Sequence, residues 1–261
     1  MVPVARRSRP ARTPCALVVS AALALLGVAC GGGSAARPEE ASAPASPQRV
    51  LLFPLNVVVT LPSEVEAGVG TVASELRATL ERRGLTVETL ELGAARDAWL
   101  RAAMAHKAEV GPEKISFEGA ASTLARQLHE TRSFDALLVP WIAMRAARMR
   151  GGSVAWDGVK RKLDLAGEAG NKRIRWALSR LQLTVKAPSL QVVGFSPEGV
   201  KLFDGIGGLD LVDEAELDVS ATKIHFDMVP KPEIFQDRAH LREGIAIALG
   251  AFLPRSEEKL D

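Results

Sequence analysis

Hydrophobic positions along the chain fall into two regimes. From Arg49 to Met144, continuous apolar runs alternate with helical periodicity. Arg49–Leu61 (RVLLFPLNVVVTL) is rich in branched apolar residues and predicts a buried strand, with Pro54 marking an edge or a bulge. Pro62-Ser63-Glu64 predicts a helix start with Ser63 as N-cap. Val69, Val72, Ala73, Leu76 and Leu80 then recur at helical spacing, and Gly84 supplies a C-terminal stop. Leu85–Leu92 predicts a second strand. Ala94–Lys107 predicts a helix broken by Gly111-Pro112, and Gly119–Glu130 another helix through Ala121, Leu124, Ala125 and Leu128. Asp135–Met144 (DALLVPWIAM) predicts a third strand.

Beyond that point alternation and turn signals replace the helical period. Gly151-Gly152 predicts a hairpin between Met144–Arg150 and Ser153–Leu165, and Gly167–Lys172 a second turn. Ile174, Trp176 and Leu178 alternate on one parity and Leu181, Leu183 and Val185 on the other, which predicts a bulge near Ser179-Arg180. Leu190–Phe195 is a further strand. Ser196-Pro197-Glu198-Gly199 predicts a type I turn, and Val200–Val212 closes the strand run. Leu241, Ile245, Ala248, Leu249 and Phe252 predict an amphipathic C-terminal helix stopped by Pro254. The order is β-α-β-α-α-β, an antiparallel meander and a final helix: an α/β fold with a mixed sheet, in one domain over about 49–255 and followed by a short tail, 256–261.

The residues before Arg49 predict an address. Arg6, Arg7, Arg9 and Arg12 precede the apolar run Cys15–Ala29, which has signal-peptide length and is shorter than the ~20 residues that span a bilayer. The run ends Leu26-Gly27-Val28-Ala29-Cys30-Gly31, which resembles a bacterial lipobox. The resemblance implies that 1–29 is removed, that Cys30 is lipidated, and, since Gly31 is not Asp, that the destination is the periplasmic side of the outer membrane. Gly31–Gln48 is built from Gly, Ser, Ala and Pro and reads as a disordered tether spanning roughly 25 Å.

Charge changes the picture once that segment is removed. The whole chain carries +2, but the part after Ala29 has 29 bases against 31 acids, a net of −2. Such a balance lacks the basic footprint of a general nucleic-acid binder. Within it, residues 145–175 carry +6, whereas 204–218 hold six acids and no base. A docking surface for an acidic partner is one reading of the basic block; protection of exposed strand edges by Lys and Arg is the other. Trp141, Trp156 and Trp176 sit on successive predicted strands, as core aromatics or as interface anchors. The segment Trp156-Asp157-Gly158-Val159 beside the basic run makes Arg145, Arg148, Trp156, Asp157, Lys160, Arg161 and Lys162 the candidate interaction surface.

Catalytic and metal motifs are not found. His106, His129, His225 and His240 form no H-E-x-x-H motif and share no helix-face spacing; Ser122 and Ser196 lack the flanking glycines of a nucleophile elbow; there is no P-loop. Gly68-Val69-Gly70-Thr71-Val72-Ala73 matches a dinucleotide fingerprint in letters only. It does not follow a strand directly, and Glu64 and Glu66 would repel phosphate. Gly205-Ile206-Gly207-Gly208 reads as a tight strand rather than a phosphate cradle. No catalytic residue, cofactor or metal is therefore expected.

The strand PLNVVV after a tether, the long helix that follows, and Asp135-Ala136-Leu137-Leu138-Val139-Pro140 before a hairpin block resemble a group of bacterial envelope lipoproteins. The group includes the curli-secretion lipoprotein, the lipoprotein activator of penicillin-binding proteins and the amino-terminal domain of the TolB protein. The resemblance, in element order over 49–255, implies an α/β domain similar to anticodon-binding domains that acts by protein contacts without catalysis. The expectation is a lipid-anchored periplasmic interaction module of a complex serving secretion, cell-wall synthesis or surface assembly. The alternative is an envelope enzyme or small-ligand binder, using a pocket where parallel pairing gives way to antiparallel.

Overall fold

The computed structural model describes residues 48–163, 182–219, 224–231 and 233–253. The expected lipobox at Cys30, the turn at 167–172, the strand carrying Trp176, the bulge at 179–180 and the stop at Pro254 lie outside the described residues.

In chain order the elements are β1 (Arg49–Leu52), a 3-10 turn (Ser63–Gly68) leading into α1 (Val69–Arg82), β2 (Thr86–Thr89), α2 (Leu92–Val110), α3 (Phe117–His129) and β3 (Ala136–Arg150). There follow β4 (Ser153–Trp156), β5 (Val159–Lys162), β6 (Gln182–Phe195), β7 (Lys201–Gly208), β8 (Asp213–Val219), β9 (Ile224–Pro230) and α4 (Arg238–Leu249). The fold is α/β with a mixed sheet, as the pattern predicts. Among the described residues the main sheet has seven strands. Its path is β2-β1-β3-β4-β5, with β6 on the other edge of β3 and β7 beside β6. β1 pairs in parallel with β2 and β3, whereas β4 and β6 run antiparallel to β3.

Three layers result. Val50, Leu52, Leu138, Ile142, Leu190 and Val192 pack with Val72, Leu76 and Leu80 of α1 and Leu241, Ile245, Ala248 and Leu249 of α4. The opposite parity, Leu51, Phe53, Leu137, Val139, Val193 and Phe195, packs with Ala95, Ala98 and Ala102 of α2 and with Ala121, Leu124, Ala125 and Leu128 of α3. Covered on both faces, β1 must be apolar at every inner position, and it is. Helix ends follow local chemistry. Gly84, at φ 81°, lets its N–H reach Glu81 O and the Leu85 N–H reach Leu80 O, which closes α1 with paired carbonyls. Ser116 and Asp237 cap α3 and α4 with side-chain oxygens.

Several expectations change. The first strand ends at Leu52 instead of continuing to Leu61, and Pro54 terminates it in the middle of the sheet rather than marking an edge or bulge, because proline cannot donate to the ladder. Ser63 does not cap a helix: the turn there begins after Pro62 and α1 starts only at Val69, after Gly68. The strand expected over Ser153–Leu165 is two strands, because Asp157 (φ 36°) and Gly158 (φ 83°) form a tight turn within it. The expected closing strand Val200–Val212 also divides: β7 ends at Gly208, and the chain departs into the separate β8–β9 ribbon. Four acids of the 204–218 block, Asp213, Glu214, Glu216 and Asp218, are therefore on a different sheet from the basic strands.

Gly205, Gly207 and Gly208 are a packing device. A Cβ at Gly207 would stand 2.0 Å from Gly244 O of α4, and one at Gly205 1.9 Å from Ala248 O, so helix and strand meet backbone to backbone. The would-be fingerprint is equally structural. Gly68 is buried with Phe235 where its Cβ would be, at 2.4 Å, whereas Gly70 faces open space.

Candidate functional site

The basic block is divided by strand parity. Gly151-Gly152 and Asp157-Gly158 both have two consecutive positive φ values, and these tight turns fix the registers of β3, β4 and β5. Arg148 pairs with Ala155, which pairs with Lys160; Arg150 pairs with Ser153, which pairs with Lys162. On the other edge of β3, Ala146 pairs with Lys186. Cross-strand partners share a face, so Arg148, Arg150, Lys160, Lys162 and Lys186 lie together, all exposed. The remaining paired positions of this face are Ala146, Ser153, Ala155, Gln182 and Thr184, none of them acidic. Ala155 and Ser153 hold the two basic rows about 10 Å apart, two strand spacings, which moderates their repulsion. Two acids, Glu64 and Asp213, line a shallow pocket together with Thr184 and Lys186 of this face. Hydrogen bonds from its own backbone and from Ser63 lower the Glu64 carboxyl below the ordinary range, and the charge of Lys186 adds to that.

The other parity turns inward, and two residues of the candidate surface go with it. Trp156 is 6% exposed, packed with Ala147, Met149, Val154, Val159, Ala187 and Leu211, and its Nε1 donates to Pro188 O at 3.3 Å. It is a core residue, not an exposed anchor. Arg161, 5% exposed, reaches α4, where it donates to Glu243 Oε2 at 2.5 Å and to His240 O at 3.2 Å. Its charge is thereby consumed internally. Arg145 and Asp157 also leave the basic rows. Ser189 donates to Asp157 Oδ2 at 2.6 Å, and Arg145 Nε lies 3.4 Å from the same oxygen. Of the seven predicted surface residues, Arg148, Lys160 and Lys162 stay together on an open face; Arg150 and Lys186, not singled out for it, join them.

A second feature lies where the alternative reading expects a pocket, although Trp99, Phe117, Gln191 and Lys201 were not singled out in the sequence. A groove of about 570 Å³ opens on the α2–α3 side of the sheet, lined by Val58, Val59, Trp99, Phe117, Glu118, Trp141, Gln191, Val193, Lys201 and Asp204. It lies where β1 has ended and β4 has not begun, at the change from parallel to antiparallel pairing. Phe117 links the two tryptophans, with centroids 5.8 Å from Trp99 and 5.1 Å from Trp141. Opposite them, Gln191 Nε2 donates to Asp204 Oδ1 at 2.9 Å, and Lys201 Nζ lies 3.2 Å from Asp204 and 3.7 Å from Glu118. The hydrogen bond to Asp204 and the charges of Asp204 and Glu118 raise the Lys201 ammonium above its ordinary range. The sequence signal that could have pointed to these residues is Trp99, next to the small-residue face of α2 formed by Ala95, Ala98 and Ala102.

Among the described residues, no group of three or more His, Cys, Asp or Glu could hold a metal ion, and no helix is long and apolar enough to cross a membrane. His106 is buried with its Nε2 unpartnered among the described residues, its ring filling the space where a Cβ at Gly119 would stand. No protein-family model matches this chain, and no curated protein matches it at a significant level.

Proposed function

We propose that the chain is a lipid-anchored interaction module of the bacterial envelope, held to the membrane through Cys30 and docking an acidic protein partner on the Arg148–Arg150–Lys160–Lys162–Lys186 face. The observation that carries this reading is the register: it sets five exposed cations on one strand face whose paired positions hold no acid. The field of such a face steers an acidic partner and is screened by salt over about 8–10 Å. The basic n-region, the lipobox and the tether support the location.

The test is affinity purification of the membrane-extracted protein at low and high salt, with Arg148, Lys160 and Lys162 replaced together by Ser. Partners captured by wild type should be lost from the variant at low salt, while its thermal stability changes within about 0.5 kcal/mol. Equal capture by both proteins at low salt refutes the docking face and leaves edge protection as the role of these cations.

A further inference from the structure

We infer that the groove bounded by Trp99, Phe117 and Trp141 is a binding site for a neutral saccharide. It is separate from the basic face, and its case does not depend on the lipid anchor.

The argument starts from what the groove leaves uncovered. Its volume, about 570 Å³, lies within the ~300–1,000 Å³ of small-molecule sites. Trp99, Phe117 and Trp141 are each only half-buried, although the protein has buried apolar cores on both sides of the sheet. Phe117 meets Trp99 with an interplanar angle of 37° and Trp141 at 65°, so the three rings form a bent wall rather than a closed stack. Such a wall offers electron-rich ring faces to the C–H groups of a ligand.

The polar wall then selects the ligand. Glu118, Lys201, Asp204 and Gln191 are already joined in one chain of contacts. Lys201 is shared between two carboxylates. An anionic ligand would have to compete with both of them for that ammonium, and a cationic ligand would have to displace it. A purely apolar ligand would strip water from four polar side chains and return no hydrogen bonds. A molecule with an apolar C–H face and hydroxyls at its rim meets both walls: hydroxyls accept from Lys201 or the Gln191 amide and donate to the unused carboxylate lone pairs without breaking an ion pair. That is the chemistry of a pyranose ring, and the open side of the groove suits a short chain of them.

The experiment is calorimetric titration of the full-length, detergent-solubilised protein with tri-N-acetylchitotriose, with maltotriose in a parallel arm to separate N-acetylated from plain glucan chains. Saturable binding in at least one arm is expected, unchanged between about 50 and 500 mM salt. Trp99→Ala and Trp141→Ala should each weaken it about tenfold or more, and Gln191→Ala, a half-exposed change that leaves the aromatic wall intact, about threefold or more. Thermal melts accompany every variant, and Gln191→Ala decides the matter if a tryptophan variant fails to fold. The inference is overturned by the absence of saturable binding to either sugar up to about 10 mM, or by binding that Gln191→Ala leaves unchanged. It is also overturned if the groove proves to hold something else: salt-sensitive binding of spermine lost in Asp204→Asn, or a concentration-dependent dimer lost in Trp99→Ala.

Discussion

The Asn56 carboxamide occupies both backbone groups of Ile142: its Nδ2 donates to Ile142 O at 3.0 Å and its Oδ1 accepts from Ile142 N at 2.9 Å. Pro54 has ended β1 two residues earlier, yet this edge of β3 is still paired, because a side chain replaces the missing strand. Asn56 sits at φ 56°, a left-handed conformation that asparagine tolerates better than most residues. Asn56→Ala should therefore lower stability by about 1–3 kcal/mol, since it strands a donor and an acceptor of β3 and adds backbone strain. Urea unfolding curves measure this; a loss below about 0.5 kcal/mol would show that water substitutes for the amide.

Trp156 and its neighbours separate core from surface within one hairpin. Trp156→Ala should cost about 3–5 kcal/mol, as for other large buried aromatics. The Lys160→Ser, Lys162→Ser double variant should shift stability by no more than about 0.5 kcal/mol. Thermal melts of the two proteins side by side check the assignment, and similar losses in both would contradict the parity of β5.

The Glu75 carboxylate, about 6% exposed on α1, gathers three guanidinium groups: Arg82 at 2.8 Å, Arg242 at 3.0 Å and Arg238 at 3.8 Å. Burial pushes its pKa up, but the hydrogen bonds and charges of Arg82 and Arg242 outweigh burial and bring it below the ordinary 4.5. A depressed carboxylate contributes stability that is complete above the unfolded-state pKa and lost as pH falls through the folded-state value. Glu75→Gln should lower stability by about 1–3 kcal/mol at neutral pH, with the gap from wild type closing below about pH 4. A gap that stays constant from pH 7 to pH 3 would argue against a titrating Glu75.

Two glycines make opposite predictions. Gly207→Ala forces β7 and α4 apart and should cost more than about 2 kcal/mol, because the obstruction is backbone and cannot rotate away. Gly70→Ala, in the first turn of α1 with no atom within 4 Å of the new Cβ, should stabilise by about 0.4–1 kcal/mol, chiefly by restricting the unfolded chain. Chemical denaturation of both variants tests whether the glycines of the 68–73 and 205–208 segments serve packing and helix entry alone.

Cys30→Ser should move the protein from the membrane fraction to the soluble periplasmic fraction, since several acyl chains, at ~0.8 kcal/mol per buried CH₂, are the proposed anchor. Retention of the variant on salt-washed membranes would refute lipid anchoring.

Periodicity within a single element made most of the architecture readable in advance. Val72, Leu76 and Leu80 announce one helix face, and Leu241, Ile245, Ala248 and Leu249 another, because burial imposes the 3.6-residue repeat directly on the sequence. The candidate surface was read less well because its parity depends on a turn. Asp157-Gly158 is a strong hairpin signal, but read as part of one strand it leaves open which of Lys160, Arg161 and Lys162 face out. Once the turn is placed, Arg161 must share a face with Val154 and Met149. The groove was legible only as a pocket expected at the change from parallel to antiparallel pairing, and its lining was not. Trp99, Phe117, Trp141 and Lys201 come from four elements, and no local pattern registers a convergence that only the packing of α2 and α3 on the sheet creates.

The length of β3 has a mechanical consequence. Its first residue pairs beside Val50, where the chain enters the sheet, and its last residue, Arg150, lies at the basic turn, fourteen residues and about 45–50 Å further along. A pull between Arg49 and the basic hairpin would draw β1 and β3 in opposite directions along their shared axis. Their hydrogen bonds run across that axis, so the load falls on the whole ladder in shear, with the Asn56 amide as its final rung, rather than peeling one bond at a time. The same strand that sets the reach of the hairpin would then give the molecule stiffness under tension along that line.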